Sequence, residues 1–194
     1  MNISAATQAR PPGILPCQAI DGLIQARAIS AQTPFDPDQV QPASLDLRLG
    51  ERAWRVRASF LPGVGRKVTE RLGDLAMHQL DLTQGAVFEK GCVYIAELQE
   101  RLALPEGICA RANPKSSTGR VDVFVRLLTD HGPVFDDVAV GYHGPMYIEI
   151  TPQTFSVLAR SGSPRFSRSW FSRVPLRART EKVWGVISMY IGPW

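Results

Sequence analysis

Apolar and polar residues change their period once along this chain, close to residue 43. Upstream, Ile20, Leu23, Ile24 and Arg27 recur at three- and four-residue intervals after Leu15-Pro16, a spacing that predicts one helix running to about Ile29. Thr33 to Pro42 carries three prolines and two aspartates and reads as a loop. From Ala43 to Gly50 apolar and polar residues alternate, the pattern of a half-buried strand. Further short strands are expected around 52–58, 86–89, 92–99, 107–112, 121–128, 145–150 and 154–159, most of them separated by Gly, Pro or Asp. Residues 61 to 75 are rich in Gly, Arg and Lys and read as an exposed loop. Many short strands with turn residues between them predict a mainly β domain, a distorted barrel or jelly-roll sandwich, with a short N-terminal helix.

This domain is expected over residues 14–160. Residues 1–13 are small, polar and Pro-rich, which predicts a loosely attached terminus. Residues 161–194 begin basic and Ser-rich and close on the apolar run Val183 to Ile191, read as a possible last strand. The net charge of +4 is unevenly spread: from Arg160 onward seven cations face one acid, Glu181, so that stretch carries +6 and residues 1–159 carry −2. A uniformly basic nucleic-acid face is therefore not expected. No run approaches the ~20 apolar residues of a membrane helix, and the start lacks the pattern of a secretory signal. Cys17, Cys92 and Cys109 are odd in number, far apart and flanked by apolar residues, as expected of reduced thiols in a cytoplasmic protein.

The densest chemistry lies in Asn113-Pro114-Lys115-Ser116-Ser117-Thr118-Gly119-Arg120. Pro114 is pre-set for the first position of a helix, and the amides that follow it would be free at a helix or turn N-terminus. Free amides with nearby cations form an anion site. Ser116 and Arg120, four apart, share a helical face; Arg120 can grip a phosphate bidentately and Lys115 can act as a point charge. A polar β-turn with two surface cations fits the spacing equally well. Glu149 lies in the apolar strand Pro145 to Ile150, where burial of a carboxylate favours its protonated form and suits it to proton transfer near neutral pH; the plain alternative puts it on the solvent face of an alternating strand. Asp136 and Asp137 follow Gly132-Pro133 in a loop and could hold a substrate hydroxyl, a water or Mg²⁺, or be ordinary turn acids. Asp46 and Arg48 share a strand face and read as an ion pair. His78, His131 and His143 lack metal-ligand spacing, and Pro16-Cys17 is not followed by a second cysteine, so a zinc site of the deaminase type is excluded.

Three segments in order resemble one family, the dCTP deaminase branch of the dUTPase-like trimeric nucleotide hydrolases. Gln41 to Gly50 resembles its early strand motif, Lys115 to Arg120 its phosphate motif, and Phe135-Asp136 through Glu149 the segment that delivers its catalytic glutamate. The resemblance implies a homotrimer with active sites shared between subunits, metal-free chemistry at the base, and Mg²⁺ accompanying a deoxynucleoside triphosphate. It implies that Glu149 activates the water that attacks C4 of cytosine and returns the proton to the ring. Ser116 and Arg120 would then position water and phosphate, and Lys115 and Ser117 would bind the triphosphate. Main-chain groups from Leu127 through Thr129 to Asp130 would read the base edge, and Asp136 would contribute to substrate binding. The implied reaction is deamination of dCTP to dUTP and ammonia; the alternatives are dUTP pyrophosphatase activity, with Asp136 positioning water, and a non-catalytic nucleotide-binding or assembly module. Lys115 stands where the family commonly has Arg, Thr129 where it has a small residue, and Gly132 to Gly141 is longer than usual. Nothing after Pro164 matches the family's phosphate-closing arm, so the chain resembles the first copy of a tandem member.

Overall fold

The computed structural model describes residues 13–162 and 185–191. After the short strand β1 (Gly13–Ile14), helix α1 spans Cys17–Gln25 and ends earlier than the predicted Ile29. The amides of Ala26 and Arg27 close the last turn on Gly22 and Ile24, and Arg27 then takes a left-handed φ of 59°. That conformation stops a helix, and Ile29 instead opens β2 (Ile29–Ala31). The alternating run beyond residue 43 divides into β4 (Ser44–Leu47), which pairs with β3 (Val40–Gln41), and β5 (Leu49–Val56). The break falls at Arg48, where the chain passes from one sheet to the other.

The predicted loop at 61–75 needs correction. Its second half is helix α2 (Val68–Leu75), followed by strand β6 (Ala76–Asp81) paired with β5. Val68 and Leu72, one turn apart, are buried, and Leu75 packs beside them. Burying each side chain contributes roughly 1.5–3 kcal/mol, enough to fix a helix that charged neighbours disguise. Asp130 Oδ1 accepts the Val68 amide at 2.8 Å, supplying the first turn's missing acceptor.

The remaining elements are β7 (Ala86–Phe88), β8 (Val93–Ala103), β9 (Ile108–Pro114), α3 (Ser116–Arg120), β10 (Val123–Thr129), β11 (Asp137–Val138), β12 (His143–Pro152), β13 (Val157–Ala159) and β14 (Gly185–Ile191). One antiparallel sheet runs β11-β9-β14-β4-β3, with β1 on β14; the other runs β10-β12-β8-β5-β6, with β2 on β8; β7 and β13 form a separate pair. Gly185–Ile191 of the closing apolar run is thus a strand, and an interior one: β14 joins β4 to β9. The expectations for residues 1–12 and for the basic stretch 163–184 lie outside the described residues. No helix among the described residues is long and apolar enough to cross a membrane.

The main core lies on one face of the second sheet and includes Leu98, Val125, Leu127, Met146, Ile148 and Ile150. A smaller cluster occupies the opposite face, where Ile95, Leu128 and Tyr147 meet Phe60, Val68 and Leu72. The second sheet is therefore covered on both sides in this region, and that sets the surroundings of Glu149.

The expected Asp46–Arg48 pair does not form. Both side chains are buried, but Arg48 Nε reaches Glu100 Oε1 at 2.9 Å, and its guanidinium also donates to the carbonyls of Pro34 and Thr33. Glu100 is fully buried and also accepts from Gln39 Nε2 at 2.8 Å and the Arg48 amide at 2.9 Å. Burial pushes the Glu100 carboxyl up, against these donors. Glu100→Gln breaks this buried ion pair, leaving Arg48 only the longer 3.9 Å contact to Asp36 as counter-charge, and should cost about 3–5 kcal/mol in urea unfolding; a loss below about 1 kcal/mol, the worth of a surface pair, would contradict the network's role.

Candidate functional site

Glu149 sits in β12 between β10 and β8, opposite Arg126 on one side and Ile95 on the other. Alternation along β12 sends Met146, Ile148 and Ile150 into the main core and puts Glu149 with Tyr147 on the other face. That face is not open to solvent: Glu149 is 4% exposed. Its Oε1 accepts from Arg126 Nη2 at 2.6 Å and Nε at 3.2 Å. Arg126 is itself held by Ser59 Oγ, 3.0 Å from Nη2, and by the Phe135 ring, whose centroid lies 3.9 Å from the guanidinium carbon. Among the described residues, Glu149 Oε2 and Asp46 Oδ1 are the buried side-chain oxygens with no hydrogen-bond partner. An acceptor in that state is costly unless a ligand or reactant meets it.

The phosphate-type motif forms a turn at the end of β9. Pro114 closes that strand rather than opening a helix, because Lys115 stays extended at φ −66° and ψ 138°. Helical backbone starts at Ser116, and the Thr118 and Gly119 amides bond back to the Lys115 carbonyl. Ser116 and Arg120 are exposed and form no ion pair or hydrogen bond with a described residue; the Ser117 side chain lies outside the described set. Lys115 turns the other way. Its Nζ reaches Asp46 Oδ2 at 2.9 Å, across β14, whose register aligns Asp46, Val186 and Asn113. Burial pushes the Asp46 carboxyl up, and the hydrogen bond and charge of Lys115 pull it back.

The Leu127–Asp136 region is closely tied. Asp136 adopts φ 67°; its Oδ1 accepts the Leu127 amide at 2.7 Å, and its own amide donates to the Leu127 carbonyl at 3.0 Å. The Leu127 main chain therefore faces Asp136 in this chain. Burial raises the Asp136 carboxyl, opposed first by the Leu127 amide and then by Arg126. Asp130 caps α2, and its amide donates to Tyr142 Oη at 3.1 Å, whose hydroxyl donates to the Pro145 carbonyl at 2.6 Å. Thr129 is buried against Gly132, where an added Cβ would lie 2.7 Å from Thr129 Oγ1.

The structure thus gathers Glu149, Asp136 and Leu127 around Arg126, a residue that sequence reasoning missed along with Ser59 and Phe135. No hydrogen bond or ion pair joins this group to Ser116 or Arg120 within the chain. The available signal was a single cation inside the apolar strand Val123 to Thr129, at the residue that pairs with Glu149.

A mainly β architecture with these features has a clear structural relative. A dCTP deaminase from Agrobacterium tumefaciens superposes with a TM-score of 0.82 and 46% sequence identity, covering 94% of this chain and 49% of its own. Residues 11–172 match the 2'-deoxycytidine 5'-triphosphate deaminase (DCD) N-terminal domain, and the chain belongs to that family. Relatives include a dCTP deaminase of Halorubrum lacusprofundi, 26% identical over 150 residues, which are 76% of this chain and 70% of the relative. A dUMP-forming dCTP deaminase of Methanothermobacter thermautotrophicus is 27% identical over 140 residues, 71% of this chain and 68% of its own. The chain spans about half the length of the Agrobacterium structure.

Lys115 and Asp46 generate a stability test with a defined sign. The Asp46 pKa lies above 3.8 in the folded chain, so its burial costs least at low pH and more as pH rises through that raised value. Lys115→Met should lose about 1.5–3 kcal/mol at pH 7 by removing the charged hydrogen-bond donor of a buried carboxylate. The deficit relative to the unaltered protein should shrink as pH falls toward 3.8; a pH-independent deficit in urea unfolding would contradict the pairing.

Proposed function

We propose that this chain carries out the hydrolytic deamination of dCTP to dUTP and ammonia. The observation that carries the reading is the buried Glu149 carboxylate, with Oε1 tied to Arg126 and Oε2 buried without a partner. A water at Oε2 would give up a proton to Glu149 as its oxygen adds to C4 of the pyrimidine. That proton passes to the ring nitrogen N3, giving a tetrahedral adduct. The C4 hydroxyl then gives up its own proton, which Glu149 carries to the exocyclic amine. The C4 carbonyl forms as the bond to that amine breaks, and ammonia leaves. General-base assistance of this kind contributes ~10²–10⁴-fold, and burial keeps bulk water from competing for the carboxylate.

The exposed Ser116 and Arg120 would meet the phosphates and the reacting water. Because they are exposed and make no contact with Glu149 in the single chain, the reading adds a homotrimer in which one copy's turn completes another copy's pocket. Lys115 supports the turn through Asp46 and adds positive charge beneath it, with Ser117 beside it. Thr129 and Asp130 would contact the base, with Asp136 holding that wall through Leu127. Magnesium would travel with the triphosphate and neutralise part of its charge. Asp46 offers a buried, unpartnered carboxylate oxygen near the turn, which suits an ion bound mainly by phosphates and water. Cysteines that are odd in number and widely spaced along the sequence favour a cytoplasmic setting.

Relatives named as dUMP-forming make pyrophosphate the second product to follow. Ammonia without pyrophosphate from dCTP supports deamination alone; pyrophosphate released from dUTP would support the phosphatase alternative, and binding without turnover the assembly module. Glu149→Gln should lower ammonia release by ~10²–10⁴-fold while dCTP affinity stays within about threefold. An active Glu149→Gln enzyme would overturn the assignment. Arg120→Ala removes a charge-assisted contact worth about 1.5–3 kcal/mol, so KM should rise by roughly tenfold or more; unchanged kinetics would remove Arg120 from the site.

A further inference from the structure

We infer that Arg126 is a positioning residue for Glu149: clamped between Ser59 and Phe135, it pins one carboxylate oxygen and so assigns proton transfer to the other. The inference rests on the deaminase reading above and concerns how its base is oriented.

A cross-strand arginine–carboxylate pair is ordinarily a structural device, and the same sheet face supplies a comparison. Arg52 Nε and Nη2 both reach Glu97 Oε2, at 3.1 and 2.8 Å, much as Arg126 reaches Glu149. The two pairs differ in what remains. Glu97 keeps no buried oxygen without a partner, whereas Glu149 Oε2 is buried and unpaired. Glu149 is also the more enclosed, its side chain 5% exposed against 10% for Glu97.

The surroundings of the two arginines differ as well. Arg126 lies 3.9 Å from the Phe135 centroid, while Arg52 stands 5.7 Å from that of Trp54. Arg126 also donates to Ser59 Oγ, on the chain leading towards α2. Phe135 comes from the loop that precedes Asp136. Two loops from separate parts of the chain therefore fix the plane of this guanidinium, and the plane fixes the carboxylate.

The consequence is a division of labour between two chemically equivalent oxygens. A fork that occupied both would leave the carboxylate unable to accept a proton without breaking a charged hydrogen bond. With both donors on Oε1, the carboxylate cannot swing freely, and Oε2 keeps its lone pairs. The proton taken from water resides on Oε2, since Oε1 faces only N–H donors. Arg126 stays charged throughout and holds the same geometry before and after transfer.

The test compares the full-length Arg126→Ala, Arg126→Lys and Arg52→Ala proteins in steady-state ammonia release and equilibrium dCTP binding, with melting temperatures recorded. Misplacing the base without removing it should cut kcat for Arg126→Ala about 10–100-fold, with dCTP affinity held within about threefold. Arg126→Lys, which keeps the charge but loses the fork, should fall between Arg126→Ala and the unaltered enzyme, and it carries the test if Arg126→Ala does not fold. Methylguanidinium should restore part of the Arg126→Ala rate and none of the Glu149→Gln rate. Arg52→Ala should lose stability and keep kcat. Equal kcat in the Arg126 and Arg52 variants, or a loss confined to KM, would overturn the role of Arg126. An unaltered chain that binds dCTP and releases no ammonia would overturn the deaminase reading itself.

Discussion

The site is organised around one buried carboxylate that is paired on one side only. Placing Glu149 on a sheet face covered by α2 and the Phe60 segment removes it from water, and an unpaired ion there would be prohibitively costly. Arg126, directly across the ladder, makes that burial tolerable. A second arginine interaction or a hydrogen bond to Oε2 would make the site more stable and chemically inert. The unpartnered oxygen is the part of the arrangement that stability alone does not explain.

The rest of the fold sets the surroundings of that oxygen. The main core fills one face of the second sheet, leaving its other face to alternate residues of β12, β10, β8 and β5. The first sheet ends in the Ser116–Arg120 turn, and β14 stitches that turn to Asp46 through the register of β9 and β4. The two charge pairs therefore have different tasks. Arg48, Gln39 and Glu100 fix the crossing between sheets, while Lys115 and Asp46 brace the turn from beneath, with Arg120 exposed.

Much of this was legible before the structure. Short alternating segments separated by turn residues showed a mainly β domain, and a lone acid in the apolar run Pro145 to Ile150 marked Glu149. What stayed hidden was long-range or masked by charge. Lys115 and Asp46 are 69 positions apart and meet only because β14 lies between their strands, so the local Asp46–Arg48 pairing was the natural but mistaken choice. Helix α2 was missed because Val68 and Leu72 are set among Lys, Glu, Arg and Asp, and two apolar residues one turn apart carry little periodic signal. Arg126 carries no motif of its own in the sequence, and its clamp comes from Ser59 and Phe135, which no periodicity links to it.

The proposed deaminase site requires Glu149 of one copy and the Ser116–Arg120 turn of another to form one pocket. Mixing Glu149→Gln with Arg120→Ala at dCTP far below KM, and allowing their subunits to exchange, tests this directly. Ammonia release is then expected to rise above the sum of the two separate proteins, because some pockets receive an intact acid from one copy and an intact turn from its neighbour. Subunits that exchange fully without any such rise would contradict it.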